Sequence, residues 1–317
     1  MDSWQGRPVV VTGGAGFLGS VLTDRLQSAG ANVFVPRRRE FDLTDPTATA
    51  RLFTQASPSV VFHLAATVGG IGANRANPGR FFYENMVMGL NVQEQARAYG
   101  RLAKLIIVGT TCSYPGTAPV PLREADLWNG YPEPTNAPYG VAKRALLVMA
   151  QAYRAQYGLQ AIYVIPANLF GPGDNFDPET SHVIPALIRK CVEAVEEGRD
   201  RIVAWGDGTP TREFLHVRDA ARGLMLAAER YDSSDPVNLG TGEEISIRDL
   251  LAQIAALVGF KGQIVWDATQ PGGQRRRRLD TSRAKDAFGF EAQVPLAEGL
   301  RETIAWYRTH RGTPSRA

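Results

Sequence analysis

With 317 residues, the chain has room for one large or two intimately joined domains and for a sizeable core. Its 44% hydrophobic and 21% charged residues are ordinary for a globular protein, and a formal net charge of +3 is too mild to argue for nucleic acid or membrane as a partner. Two cysteines, Cys112 and Cys191, cannot build a disulfide framework and point to a reducing compartment. No apolar run approaches the roughly 18 residues that span a bilayer, and Met1 to Pro8 is polar rather than signal-like, so a soluble cytoplasmic protein is expected, with no metal site.

In chain order, Pro8 to Thr12 reads as a strand, Phe17 to Ala29 as a helix closed by Gly30, and Asn32 to Val35 as the next strand. Thr47 to Gln55 is a helix, Val60 to Leu64 a strand, Arg80 to Tyr99 a long helix ending at Gly100, and Leu105 to Val108 a strand. Tyr139 to Tyr157 is a second long helix, followed by the strand Ala161 to Ile165. This alternation implies right-handed crossovers and a parallel sheet covered on both faces. Beyond Ala167 the pattern loosens. A Gly-, Pro- and Asp-rich loop over Gly171 to Ser181 precedes helices Val183 to Glu196 and Ile247 to Val258. Strands Ile202 to Trp205 and Val237 to Leu239 are expected to rejoin the first sheet. The expected fold is α/β, a Rossmann-type doubly wound parallel sheet over residues 1–167. Residues 168–317 form mostly a smaller, interleaved substrate domain, and the segments near 202–240 return to the sheet.

Glycines 13, 16 and 19 follow the first strand and open a helix. The first permits a tight turn, the second lets backbone approach a pyrophosphate, and the third lets helix and strand pack closely. Helix amides then face the phosphates. Such a loop binds a dinucleotide, and Phe17, Leu18, Leu64, Ala65 and Ala66 are further candidates for cofactor contact. The second strand runs into Arg37, Arg38 and Arg39, where NAD-binding units commonly place an acid. A guanidinium fork suits a 2′-phosphate, which favours NADP, with Arg38 first and Arg37 next. NAD stays open if Glu40 or Asp42 binds the ribose; Asp42 fits better beside the adenine, with Leu43.

Tyr139 and Lys143 stand four apart at a helix start, so both project from one face. An ammonium beside a phenol would lower the phenol pKa and orient ribose hydroxyls. The phenol could then pass a proton to a carbonyl oxygen as hydride reaches the carbon. Thr110 and Thr111 directly follow a strand, at the sheet edge where ligands bind.

The glycine loop, the strand-end threonine and Tyr-x-x-x-Lys together resemble the extended short-chain dehydrogenase/reductase superfamily over nearly the whole chain. Longer motifs are similar to the GDP-L-fucose synthase family: Val68–Ile71, Gly109–Pro115, Pro134–Gly140, Asn168–Phe176, Ser181–Arg189, and Trp205–Gly208 running on to Arg212–Val217. That family converts GDP-4-keto-6-deoxy-D-mannose to GDP-L-fucose, epimerising C3 and C5 and then reducing C4 with NADPH. The resemblance implies Cys112 and His182 as the epimerisation pair, with Cys112 abstracting a proton and His182 returning one. A thiolate near a lysine and the cofactor's positive ring would be more available than a free one. Thr110 and Tyr139 would bind the C4 oxygen, Lys143 would support Tyr139 and the cofactor ribose, and His182 would also touch the cofactor. Arg212, Lys190, Arg277, Trp205 and Asn168 would bind the GDP-hexose; Lys190 stands where the family usually has arginine, and Arg277 where it has lysine. Thr110 and Thr111 replace a serine pair. Cys191, His63 and His216 read as structural, His63 toward the adenine side. The two long helices carry apolar surface for a homodimer. Competing readings are a related nucleotide-sugar 4-ketoreductase, an NAD-dependent C4 epimerase, and a dinucleotide-binding redox sensor, which would ordinarily lack the Tyr and Lys.

Overall fold

A computed structural model describes residues 4–69, 71–269 and 274–310, without the side chain of residue 71; Gly70, in the Val68–Ile71 motif, lies outside the described residues. The first half runs β1 (Pro8–Thr12), α1 (Phe17–Ser28), β2 (Asn32–Phe34), α2 (Pro46–Ala56), β3 (Val60–His63), α3 (Ile71–Ala76), α4 (Pro78–Tyr99), β4 (Lys104–Val108), α5 (Ala137–Tyr157) and β5 (Ala161–Pro166). Local chemistry sets the helix ends. Asp45 accepts from the Thr47 amide at 2.8 Å with Pro46 in the first helical position, which starts α2. Left-handed Gly100 and Gly158 close α4 and α5.

The second half runs β6 (Asn168–Phe170), α6 (Val183–Glu196), β7 (Arg201–Trp205), β8 (Thr211–Arg212), β9 (Phe214–His216), α7 (Val217–Arg230), β10 (Val237–Leu239), β11 (Ile245–Ser246), α8 (Ile247–Val258), β12 (Gln263–Asp267), α9 (Ser282–Phe288) and α10 (Leu296–Thr309). The main sheet has the order β10-β5-β4-β3-β1-β2, with every pairing parallel. Its strand order reverses between β1 and β3, and the crevice at the carboxyl ends of those strands is the natural ligand site of an open α/β sheet.

One strand expectation fails. Ile202 to Trp205 does not rejoin the main sheet; β7 pairs in parallel with β12 in a separate two-stranded sheet. Its alternating burial, exposed then buried along Arg201–Trp205, is that of a ribbon covered on one face only. Helix α7 was not legible as a separate element; it packs on α1, and Ala220, Ala221, Ala227 and Ala228 are among its buried residues. Two buried apolar clusters result. One joins the main sheet to α1, α2, α7 and α9; the other joins α6, α8 and α10 to β7. Among the described residues, no helix is long and apolar enough to cross a membrane.

Candidate functional site

The glycine loop is shaped by what cannot fit in it. Gly13 has φ +71°, and a Cβ there would lie 2.8 Å from the Ala65 amide nitrogen, so β1 and β3 meet without a side chain between them. A Cβ on Gly19 would lie 2.0 Å from the Gly13 carbonyl oxygen. Gly16 differs: its Cβ would meet one atom, the same carbonyl oxygen, at 3.3 Å. The protein itself therefore demands Gly13 and Gly19, while Gly16 leaves open space at the mouth of α1. That helix starts with no side-chain cap and no acidic residue in its first turn, so its amide end, at Phe17 and Leu18, suits an anion. This cradle fits the diphosphate of a dinucleotide. Leu64 and Ala65 are fastened beside it, their amides donating to the Thr12 carbonyl (3.1 Å) and hydroxyl (3.3 Å), and Ala66 follows at the same edge.

Beyond β2, the Arg38 guanidinium lies 3.6 Å from the Asp42 carboxylate and 3.9 Å from that of Glu84, while remaining largely exposed. Asp42 is held by the Thr44 amide (3.0 Å) and hydroxyl (2.8 Å), which keep its pKa below the usual carboxylate range. Glu40 pairs with Arg39 at 3.0 Å. Both acids that could have served a ribose are thus engaged locally, and Arg37 stands exposed beside them. Leu43 is buried, and its carbonyl accepts from Asn91 at 2.8 Å.

At the end of β4 the chain makes one 3₁₀ turn, Thr111–Ser113, capped by Thr110, whose hydroxyl accepts from the Cys112 amide at 3.2 Å. This turn rests directly on the start of α5: a Cβ on Gly140 would lie 2.2 Å from the Cys112 carbonyl oxygen, and the Ser113 hydroxyl donates to the Gly140 carbonyl at 3.0 Å. Thr110, Cys112 and Tyr139 are brought together there, with the Tyr139 phenol hydrogen-bonded to Thr110. Lys143 is buried, and its ammonium donates to the Val108 carbonyl at 3.0 Å; burial lowers its pKa to about 8. The expected lowering of the Tyr139 pKa by Lys143 is absent. Burial dominates and pushes the phenol well above its ordinary value, so Tyr139 is held as a proton donor. His63 is buried, with Nδ1 2.9 Å from the Thr12 hydroxyl, and burial and the Lys143 charge lower its pKa to about 3. Its surroundings are thus those of a structural residue that feels the charge of Lys143.

The substrate candidates come from scattered segments. His182 is the exposed N-cap of α6, and partial desolvation by the neighbouring protein lowers its pKa. On the same helix, the Lys190 ammonium donates to the Val203 carbonyl at 2.9 Å and sits 5.6 Å from the centroid of the exposed Trp205 ring. Asn168 donates to the Glu213 carbonyl at 2.9 Å. Arg212 is partly buried, its pKa lowered to about 10 by burial and by the nearby charge of Arg277. The Arg277 guanidinium reaches the Cys112 sulfur, 3.8 Å from Nη1. The cation in contact with the thiol is thus an arginine of the late loop, not the lysine anticipated.

The profile of the NAD dependent epimerase/dehydratase family matches residues 9–240. The probable GDP-L-fucose synthase 1 of Oryza sativa subsp. japonica is 42% identical over 304 residues, 96% of this chain and 92% of that one. The chain belongs to the GDP-L-fucose synthase family. A GDP-L-fucose synthetase of Naegleria fowleri, solved bound to NADP, superposes with a TM-score of 0.90 at 29% identity over 99% of this chain and 97% of that one. A GDP-6-OMe-4-keto-L-xylo-heptose reductase from C. jejuni superposes with a TM-score of 0.91 at 27% identity over 96% and 99%.

In this member of the GDP-L-fucose synthase family, two residues of the site escaped sequence reasoning. Buried Glu213 accepts from the amides of Thr241 (2.6 Å), Gly242 (2.9 Å) and Leu279 (2.6 Å), and its own amide donates to the Arg277 carbonyl at 3.1 Å. Gln274 accepts from Nε and Nη2 of Arg277 at 3.2 and 2.8 Å. A signal existed for Glu213, a lone acid running into apolar Phe214 and Leu215. None existed for Gln274. In the run Arg275–Arg278, Arg276 pairs with Glu244, and Arg277 turns inward.

Proposed function

We propose that the protein converts GDP-4-keto-6-deoxy-D-mannose to GDP-L-fucose, epimerising C3 and C5 and then reducing C4 with NADPH. The observation that carries this reading is the shared wall of Thr110, Cys112 and Tyr139, a thiol and a protonated phenol on two elements locked at Gly140. A C4 ketone acidifies the protons on C3 and C5, because the carbanion is held as an enolate. Cys112 removes a proton and His182 returns one from the other face. Thr110 and Tyr139 hold the C4 oxygen, and Tyr139 donates the final proton. NADPH, when bound, supplies the hydride for C4. The glycine cradle holds its diphosphate and Lys143 its ribose, while Arg38 and Arg37 hold the 2′-phosphate. Arg212, Lys190 and Arg277 supply positive charge for the GDP diphosphate, Trp205 a flat face for guanine or sugar, and Asn168 a hydrogen bond.

The free cysteines fit a reducing cytoplasm. Tyr83 and Leu90 on α4 and Val148 on α5 expose apolar surface, which supports pairing of two copies through these helices.

The test runs the substrate in heavy water without NADPH. Deuterium is expected at C3 and C5, and Tyr139→Phe should keep that exchange while losing reduction by about a hundredfold or more. With no label in the sugar, the protein is instead a 4-ketoreductase, the kind of activity named for the C. jejuni relative. Near-normal NADPH oxidation by Tyr139→Phe would remove the phenol from its role.

A further inference from the structure

One guanidinium reaches the Cys112 sulfur and a second lies in its neighbourhood. Arg277 touches it through Nη1 at 3.8 Å, and Arg212 lies close enough to interact electrostatically with both Cys112 and Arg277. Among the described residues, neither arginine forms an ion pair with a carboxylate. Their charge is left for the sulfur or for an anionic ligand.

The posture of Arg277 aims it at the first use. A guanidinium can grip a phosphate through either of two two-nitrogen edges. The Nε and Nη2 edge of Arg277 is already taken by the Gln274 carbonyl oxygen, at 3.2 and 2.8 Å. Gln274 is itself fixed, its amide donating to the Gly116 carbonyl at 3.1 Å. The backbone of the same loop is clamped by Glu213, which donates to the Arg277 carbonyl and accepts from the Leu279 amide. Nη1, on the other edge, faces the thiol.

We propose that Arg277 is a positioning residue for Cys112: it fixes the sulfur and balances the charge of the thiolate that takes a proton from the sugar. In that step the sugar C–H bond breaks, an S–H bond forms, and the electron pair passes into the enolate ending at the C4 oxygen. Charge leaves the sulfur as the proton arrives, so a cation fixed beside the sulfur acts on this step and not on hydride transfer. The inference rests on the reading of Cys112 as the proton-transfer thiol.

Two measurements on Arg277→Gln and Arg277→Lys test it, with NADPH affinity as the check that each variant is folded. The first is the rate of Cys112 alkylation by iodoacetamide in the free protein near neutral pH, followed by mass spectrometry, with buried Cys191 as the internal reference. Arg277→Gln is expected to slow alkylation about tenfold, and Arg277→Lys by less. An unchanged or faster rate in Arg277→Gln overturns the proposal. The second is deuterium entry at C3 and C5 at saturating substrate. Arg277→Gln should lower the limiting rate about tenfold, and should add nothing in a Cys112→Ser background. A raised KM with the limiting rate intact would make Arg277 a substrate-binding group only and overturns the proposal. If Cys112→Ser exchanges as fast as the parent, the reading of Cys112 falls and the catalytic half of the proposal with it. The alkylation rate, which needs no sugar, separately decides whether Arg277 acts on the sulfur.

Discussion

The cradle at β1 and the site around Cys112 differ in how much of the chain they draw on. The cradle comes from two short stretches, residues 13–19 and 64–65, and its shape is set mainly by exclusion: at Gly13 and Gly19 any Cβ would collide with backbone. The Cys112 site gathers residues 110–113, 139–140, 212–213 and 274–279 and, apart from the close seat at Gly140, is held by hydrogen bonds between distant segments. A steric demand constrains which residue can occupy a position. A clamp onto backbone atoms does not, because almost every residue offers the same N–H and C=O.

The largest effect should come from breaking the exclusion. Gly19→Ala would set a Cβ 2.0 Å from a carbonyl oxygen and is expected to cost about 3 kcal/mol, read from urea unfolding without cofactor. Gly16→Ala, with its nearest neighbour at 3.3 Å, should stay within about 1 kcal/mol of the parent yet weaken NADPH binding at least about tenfold. Equal destabilisation by the two would erase the distinction between a glycine required by the fold and one required by the ligand.

A smaller effect compares two buried histidines, His63 on β3 beside the cradle and His216 on β9 packed against Phe170. Burial lowers the pKa of His63 to about 3 and of His216 to about 4, both below the ordinary 6.5. The unfolded chain takes up a proton near pH 6.5 that each folded site refuses until far lower. This stability is full above about pH 6.5 and is lost as pH falls toward 4, by about 1.4 kcal/mol per unit for each residue. Asp174, whose carboxyl burial raises to about 7, tilts the total the other way. The test is therefore a difference: between pH 6.5 and 5, His63→Gln and His216→Gln should each lose stability less steeply than the parent, by about 2 kcal/mol over the interval. A variant slope matching the parent's would place that imidazole in contact with water.

The smallest effect should be at Arg38, exposed and shared between Asp42 and Glu84. Arg38→Ala should weaken NADPH about tenfold by calorimetry and leave NADH unchanged. Equal losses for both cofactors would mean that no 2′-phosphate is bound there.

The same contrast explains what was legible in the sequence. The strands of the main sheet and the helices α1, α2, α4 and α5 were readable, because periodicity and capping signals act locally. The pairing of β7 with β12 was not, since an apolar run does not say which sheet it joins, and the alternation of burial appears only once the neighbour is in place. Lys143 was legible as a partner of Tyr139 by spacing, but burial, which sets the phenol's proton, is a property of the folded surroundings. Arg277 was noticed as a charge, whereas its contact with Cys112 depends on Gln274, Glu213 and the backbone between them.

The seat of the 3₁₀ turn on α5 has one more consequence. With no side chain at Gly140 to act as a spacer, and with Ser113 tied to the Gly140 carbonyl, the thiol-bearing turn and the phenol-bearing helix form a single anvil. Such a surface moves as one body. On the proposed reading, then, the turning between epimerisation and reduction falls to the hexose ring, and the order of events is written in the choreography of the sugar.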